Sequence, residues 1–302
     1  MEGAYYNGQY LNRLERLGYS QAEIDNKLES TFEEMFYGPE GVRLCHCAGP
    51  DMMYIEDTGN HDVRTEGMSY AMMFCVQMNR QKEFDCLWRW VVTHMYLTEG
   101  ENAGYFAWSC HTDGSKNSDG PAPDGEEFFA MSLFFAANRW GSGEGVLDYA
   151  SWARRILHAC VHKGEEAGSG FPMWNPENHL IKFIPNCEFT DPSYHLPHFY
   201  ELFALWSDEC DRPFWHAAAA ASRQYLRKAC HARTGLSAEY AEYDGRPHRG
   251  DQPDRHDWFF SDAYRTLGNI ALDAQWFGDK DGWAQETAAH IQQFFEEKEH
   301  GQ

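Results

Sequence analysis

Apolar residues recur along this chain at helical spacing far more often than at alternate positions. Ile24, Leu28, Phe32 and Met35 mark one face over Gln21 to Phe36, with Ser20 placed to cap it. Met68, Ala71, Met72, Cys75 and Asn79 trace a second face, on a helix that begins near Glu66. The same pattern predicts helices over about 82–96, 125–140, 148–162, 193–207, 213–230, 262–277 and 283–297. Roughly nine helices result, joined alternately by short turns and by long loops at 41–64, 97–123, 163–191 and 231–260. Short strands are expected inside these loops, near Tyr105–Ser109 and Leu236–Tyr240.

Helix pairs recur every ~40–60 residues without a fixed sequence repeat, and no interdomain linker stands out. The pattern therefore predicts an all-α fold in one domain over residues 1–302, most economically a toroid of helical hairpins. A plain helical bundle is the fallback. The long loops hold most of the Gly, Pro, Asn and His, and loops of such length are usually functional.

Composition narrows the function. A hydrophobic fraction of 43% excludes wholesale disorder, and no apolar run approaches the ~20 residues of a membrane span. The start, Met1-Glu2-Gly3-Ala4-Tyr5-Tyr6, has neither a basic nor an apolar signal region, so a cytoplasmic protein is expected. Nine cysteines at irregular spacing fit reduced thiols better than a disulfide framework. The net charge of −22 argues against nucleic acid, anionic membrane and polyanionic sugars as partners, and favours a neutral substrate. Aromatic residues make up 16%; most belong in the core, while a minority in loops could stack on sugar rings.

Three acidic segments at helix starts carry the candidate chemistry: Arg64-Thr65-Glu66-Gly67-Met68-Ser69-Tyr70, Pro121-Ala122-Pro123-Asp124-Gly125-Glu126-Glu127, and Ser261-Asp262-Ala263-Tyr264-Arg265. Each has an ordinary structural explanation. Glu66 suits the positive end of a helix. Asp124 and Glu127 have the spacing of a capping arrangement. Ser261 can cap, and Arg265 can pair back to Asp262 across one turn. Together they also offer what inverting glycoside hydrolysis requires, two carboxyl groups roughly 6.5–9.5 Å apart with different pKa values. Glu66 and Asp262 are far apart in sequence, as expected of groups brought together only by folding. Helix starts lower carboxyl pKa values, so the acid would have to be raised by desolvation or by a neighbouring charge such as Asp124. Cys45-His46-Cys47 with His61 lacks zinc-site spacing, and no metal or cofactor is expected. His195 and His198, flanking Pro197, are expected to hydrogen-bond within the core or a loop.

In this order, the segments resemble glycoside hydrolase family 8, in particular its reducing-end xylose-releasing exo-oligoxylanase branch. The resemblance runs from about residue 2 to the C-terminus, through Gly3-Ala4-Tyr5-Tyr6, the three acidic segments and Asp191-Pro192-Ser193-Tyr194-His195-Leu196-Pro197. It implies an (α/α)6 barrel, an inverting mechanism and a xylo-oligosaccharide substrate. Glu66 falls at the general acid and Asp262 at the general base. Asp124 matches the carboxylate that holds the distorted sugar, and Tyr194 a tyrosine sharing the nucleophilic water. Trp108 and Trp174 look like sugar-stacking rings, and Arg265 like the partner orienting Asp262. A full barrel of this type has more helices than the roughly nine read here, so the last ones are expected to be missing. The family's later Leu-His-Pro barrier loop is expected to be absent as well, since Leu196-Pro197 belongs to another segment. An endo-acting xylanase or cellulase of the same family, an inactive glycan-binding fragment and a sugar epimerase on a similar toroid are the other readings.

Overall fold

The computed structural model describes residues 2–166, 168–250 and 255–300, with the side chains of residues 299 and 300 left aside. Its helices, in chain order, are α1 (Ala4–Asn7), α2 (Arg13–Arg16), α3 (Gln21–Tyr37), α4 (Thr65–Gln77), α5 (Gln81–Trp90), α6 (Pro123–Trp140), α7 (Tyr149–His162), α8 (Pro197–Trp206), α9 (Arg212–Ala229), α10 (Arg265–Phe277) and α11 (Trp283–His300). The strands are β1 (Cys45–Cys47), β2 (Met53–Ile55), β3 (Asp62–Arg64) and β4 (Ser109–His111). Two compact units emerge, Tyr10–Ile156 and Leu157–Gln302 with Met1–Gln9. No helix among the described residues is long and apolar enough to cross a membrane.

Local chemistry explains where the helices begin. Ser20 caps α3 in a reciprocal box: its Oγ accepts from Glu23 N–H at 3.3 Å, and its own N–H donates to the Glu23 carboxylate at 2.8 Å. α6, α8 and α9 each carry a proline in the first turn, where no intrahelical donor is lost. On α4 the expected face is buried at Met68, Ala71, Met72 and Cys75. Asn79 departs from it: it lies beyond the helix at φ 61° and accepts from Trp140 Nε1 at 2.7 Å.

The expected strand near Tyr105–Ser109 is realised at its end. β4 pairs antiparallel with β3, Arg64 opposite Ser109, and Phe106 bridges to Tyr96. Leu236–Tyr240 forms no strand. Leu236 C=O accepts from His231 N–H, while Glu239 and Tyr240 donate to Trp258 and His256, so its backbone bonds go to separate segments and no ladder forms. β1 and β2, paired Cys45 to Ile55, were not anticipated. Residues 251–254 of the long loop at 231–260 lie outside the described residues.

Unit Tyr10–Ile156 packs α4, α5 and α6 around Trp88, whose ring lies 5.8 Å from Phe129 and 5.9 Å from Phe106. In the other unit Tyr200, Phe203 and Trp215 form an aromatic core between α8 and α9. Each such ring contributes roughly 1.5–3 kcal/mol through burial. Arg223 of α9 ties this unit's helices together, donating to Asp273 of α10 at 2.8 and 2.7 Å and to Glu201 of α8 at 2.5 Å. A cavity of about 920 Å³ opens beside Arg223, Asp273, Phe277 and Trp283, and none of the candidate site residues lines it. Its size alone does not make it the site. His195 is a core histidine as expected, its ring nitrogens meeting Ser222 at 2.9 Å and Thr190 at 3.0 Å. Burial pushes it and His198 down to about 3.

Candidate active site

Unit Tyr10–Ile156 holds Glu66, Trp108 and Asp124. β3 runs straight into α4: Arg64 is extended at φ −112°, and Thr65 begins the helix. Glu66 is therefore the second helical residue, half-buried at the positive end of α4. Trp108 is fastened beside it, its C=O accepting from Thr65 N–H at 3.0 Å and its N–H donating to Gly120 C=O at 2.9 Å. The Arg64 guanidinium lies 5.1 Å from the Trp108 ring centroid, within cation–π range. Asp62 holds that guanidinium at 3.0 Å and accepts from Ser109 Oγ at 2.9 Å. Trp108 is thus a half-buried ring whose backbone and one neighbour are fixed.

Asp124 is only 3% exposed. The capping arrangement expected for it does not form. Pro123 starts α6 and Ala122 holds the N-cap position without a side-chain bond, so Asp124 lies inside the first turn. There its Oδ1 accepts from Gly125 N–H at 3.0 Å. A Cβ on Gly125 would stand 2.5 Å from both Cβ and Oγ1 of Thr65, so the starts of α4 and α6 touch without room for a methyl. This contact brings Glu66 and Asp124 onto neighbouring first turns. Gly125→Ala is therefore expected to cost about 1–3 kcal/mol of stability by overpacking. It should also lower kcat/KM, because the two carboxyls are pushed apart. Thermal melting and kinetics of the variant check this; unchanged melting and turnover would show that the contact yields freely.

The other unit holds Tyr194, Trp174, Asp262 and Arg265. Tyr194, 6% exposed, ends a 3₁₀ turn at Pro192–Tyr194, which Asp191 caps by accepting from Ser193 N–H at 2.6 Å. Asn269 of α10 donates to Ser193 C=O at 2.7 Å, which fastens this turn to α10. Asp262 lies in a 3₁₀ turn at Ser261–Tyr264 that leads into α10. Arg265 Nη2 meets Asp262 Oδ2 at 3.0 Å, and its guanidinium carbon lies 5.7 Å from the Tyr194 ring centroid. The expected pairing of Arg265 with Asp262 is present, and the same cation also reaches Tyr194. Ser261 does not cap: Phe260 holds that position, and Ser261 is strained at φ 40°.

Trp174 corrects the sequence expectation. It is 1% exposed and packs edge-on against Trp215 at 5.0 Å and Tyr200 at 5.6 Å. At that exposure it offers no open platform for a sugar in this structure.

The structure adds acids that the sequence reading gave no role. Asp191 is pushed up to about 7 by burial, with Arg265 opposing that rise. Glu239, also raised by burial, accepts from or shares a proton with His256 Nδ1 at 2.8 Å. The His256 ring in turn stacks on Tyr240 at 4.3 Å. Asp191 could have been found from the Asp-Pro-Ser cap pattern; Glu239 and His256 lie in a loop without periodicity. Glu126 is fully buried, accepts from Phe106 N–H at 3.0 Å, and is pushed up to about 8 by burial. Burial therefore favours its protonated form. Cys45-His46-Cys47 forms β1, and His46 pairs with Glu56 at 3.3 Å.

One unit thus holds an acid at a helix start beside a held tryptophan, and the other holds an acid gripped by an arginine next to a tyrosine. The profile of the glycosyl hydrolases family 8 matches residues 19–300, and the chain belongs to that family. Its all-α, (α/α)6 fold class follows from the same likeness. A reducing end xylose-releasing exo-oligoxylanase of Halalkalibacterium halodurans is 55% identical over 299 residues, 99% of this chain and 76% of its own length. Rex8A of Paenibacillus barcinonensis, of the same description, is 56% identical over 298 residues, 97% of this chain and 77% of its own. The solved structure of Rex8A complexed with xylose superimposes with a TM-score of 0.94, covering 97% of this chain and 78% of that one.

Proposed function

We propose that this chain is an inverting glycoside hydrolase that releases xylose from the reducing end of short β-1,4-xylo-oligosaccharides. The observation that carries this reading is the identity of 55–56% to enzymes described by that activity, over nearly the whole chain. In this reading Glu66 protonates the leaving oxygen. Asp262, with Tyr194, takes a proton from the water that attacks the opposite face of the sugar. Arg265 aims Asp262 through their 3.0 Å contact. Asp124 holds the distorted sugar, and Trp108 offers its ring to a neighbouring one. Support for these roles comes from the Arg265 contacts and from the touching starts of α4 and α6. The proposal treats the chain as a single catalytic domain, because one family profile runs through both units. It also places the enzyme in the cytoplasm; its nine cysteines are all free thiols, which suits a reducing compartment.

Product analysis tests the mode of action. The chain should convert xylotriose to xylobiose and xylose, and should leave xylotriose with a reduced end uncut. Cleavage of both would point to endo action. Tight binding with no xylose released would point to a glycan-binding fragment.

A further inference from the structure

His158 and His162 lie four residues apart on α7, hence on one face of that helix, and both face Asp211 at the start of α9. His162 Nε2 lies 2.6 Å from Asp211 Oδ1, and His158 Nδ1 lies 3.5 Å from Asp211 Oδ2. One ligand atom from each of the three side chains falls within 4.8 Å of the others. The Asp211 side chain is 2% exposed, and all three residues belong to the same unit.

A second observation sharpens the cluster. The other ring nitrogen of His162, Nδ1, lies 2.6 Å from the Glu165 carboxylate. A neutral imidazole has a single N–H, so His162 can satisfy both carboxylates only as an imidazolium or with a cation in place of one proton. A carboxylate on the far nitrogen of a histidine is also the usual support of a metal-ligating ring, because it fixes the tautomer and raises basicity.

We propose that His158 Nδ1, His162 Nε2 and the Asp211 carboxylate form a binding site for a borderline divalent cation of the zinc class. Binding replaces the Nε2 proton of His162, which leaves to solvent as the cation takes the lone pair. Tetrahedral zinc with bonds of about 2.0 Å sets its ligand atoms about 3.3 Å apart. The two ring nitrogens lie 3.5 Å and 2.6 Å from different oxygens of the Asp211 carboxylate, and one ligand atom from each of the three residues lies within 4.8 Å of the others, so side-chain shifts of about an ångström would bring the three onto one ion. Water completes the fourth position on the exposed side, where the His158 side chain is 55% accessible. The cation would clip the end of α7 to the start of α9. It stands apart from Tyr194, Asp262 and Arg265 in sequence and takes no part in the hydrolysis proposed above.

The test uses the full chain after EDTA treatment, titrated with Zn²⁺ or Co²⁺ alone. One equivalent of Zn²⁺ should bind with release of a proton and raise the melting temperature. Co²⁺ should give the visible bands of a tetrahedral nitrogen–oxygen site. His158→Ala, at an exposed position, should leave the metal-free melting temperature unchanged, weaken binding at least roughly tenfold and abolish the metal-induced rise. Asp211→Asn should do the same to binding. Equal uptake by the wild type and His158→Ala would overturn the proposal. So would a thiolate charge-transfer band with Co²⁺, which would put the metal on a cysteine, or the absence of any melting shift, which would leave an imidazolium held between two acids.

Discussion

Glu66→Gln should lower kcat on xylotriose by roughly 10²–10⁴-fold, the usual worth of a positioned general acid. The loss belongs to the acid step alone, because the amide has nearly the same shape and Glu66 is only half-buried. A substrate whose leaving group needs little protonation separates this from a general collapse of the site. With β-xylobiosyl fluoride the variant should recover most of the wild-type rate, since fluoride departs without a proton. Failure on both substrates, with an unchanged melting temperature, would remove Glu66 from the role of acid.

Asp262→Asn should behave differently. The base is needed whatever the leaving group, so the rate should fall by roughly 10²–10⁴-fold on xylotriose and on the fluoride alike. Stability should change little, because the Asp262 side chain is 37% exposed and its ion pair with Arg265 is partly screened. Arg265→Lys is the companion variant. It keeps a positive charge but loses the planar fork that reaches Asp262 and lies over Tyr194, and should give an intermediate loss on both substrates. Kinetics of the three variants on the two substrates test both assignments. Full activity of Asp262→Asn on the fluoride would exclude it as the base.

Much of this was legible in the sequence, for reasons that differ by element. Long helices announce themselves by period and caps: Ser20 and Glu23 are enough to set the start of α3, and four of the five residues expected on one face of α4 are buried. Asn79 failed because α4 ends at Gln77 and Asn79 turns into the left-handed region at φ 61°, with Arg80 N–H closing back on Cys75 C=O at 2.8 Å. Three-residue strands such as β1 and β2 are too short to show a period of two. Site acids were visible as residue types at helix starts, but their surroundings were not. Trp174 shows the limit: an aromatic ring in a loop has the same letter whether it faces sugar or is wedged against Trp215. Nor could composition show that Arg265 serves Asp262 and Tyr194 at once. The His158–His162 spacing was readable, whereas its third member lies about fifty residues away, beyond the reach of any local motif.

Glu126 has a consequence for the molecule's proton inventory. A glutamate free in the unfolded chain titrates near 4.5, while this one titrates near 8 in the fold. Between those values folding takes up a proton at this position. Stability contributed there is full below the lower value and is lost as pH rises through the upper one. Burial thus favours a neutral Glu126 in the folded chain, at a position that the −22 of the composition counts as charged. Isoelectric behaviour and proton release on denaturation are set by the buried carboxyls as well as by the composition.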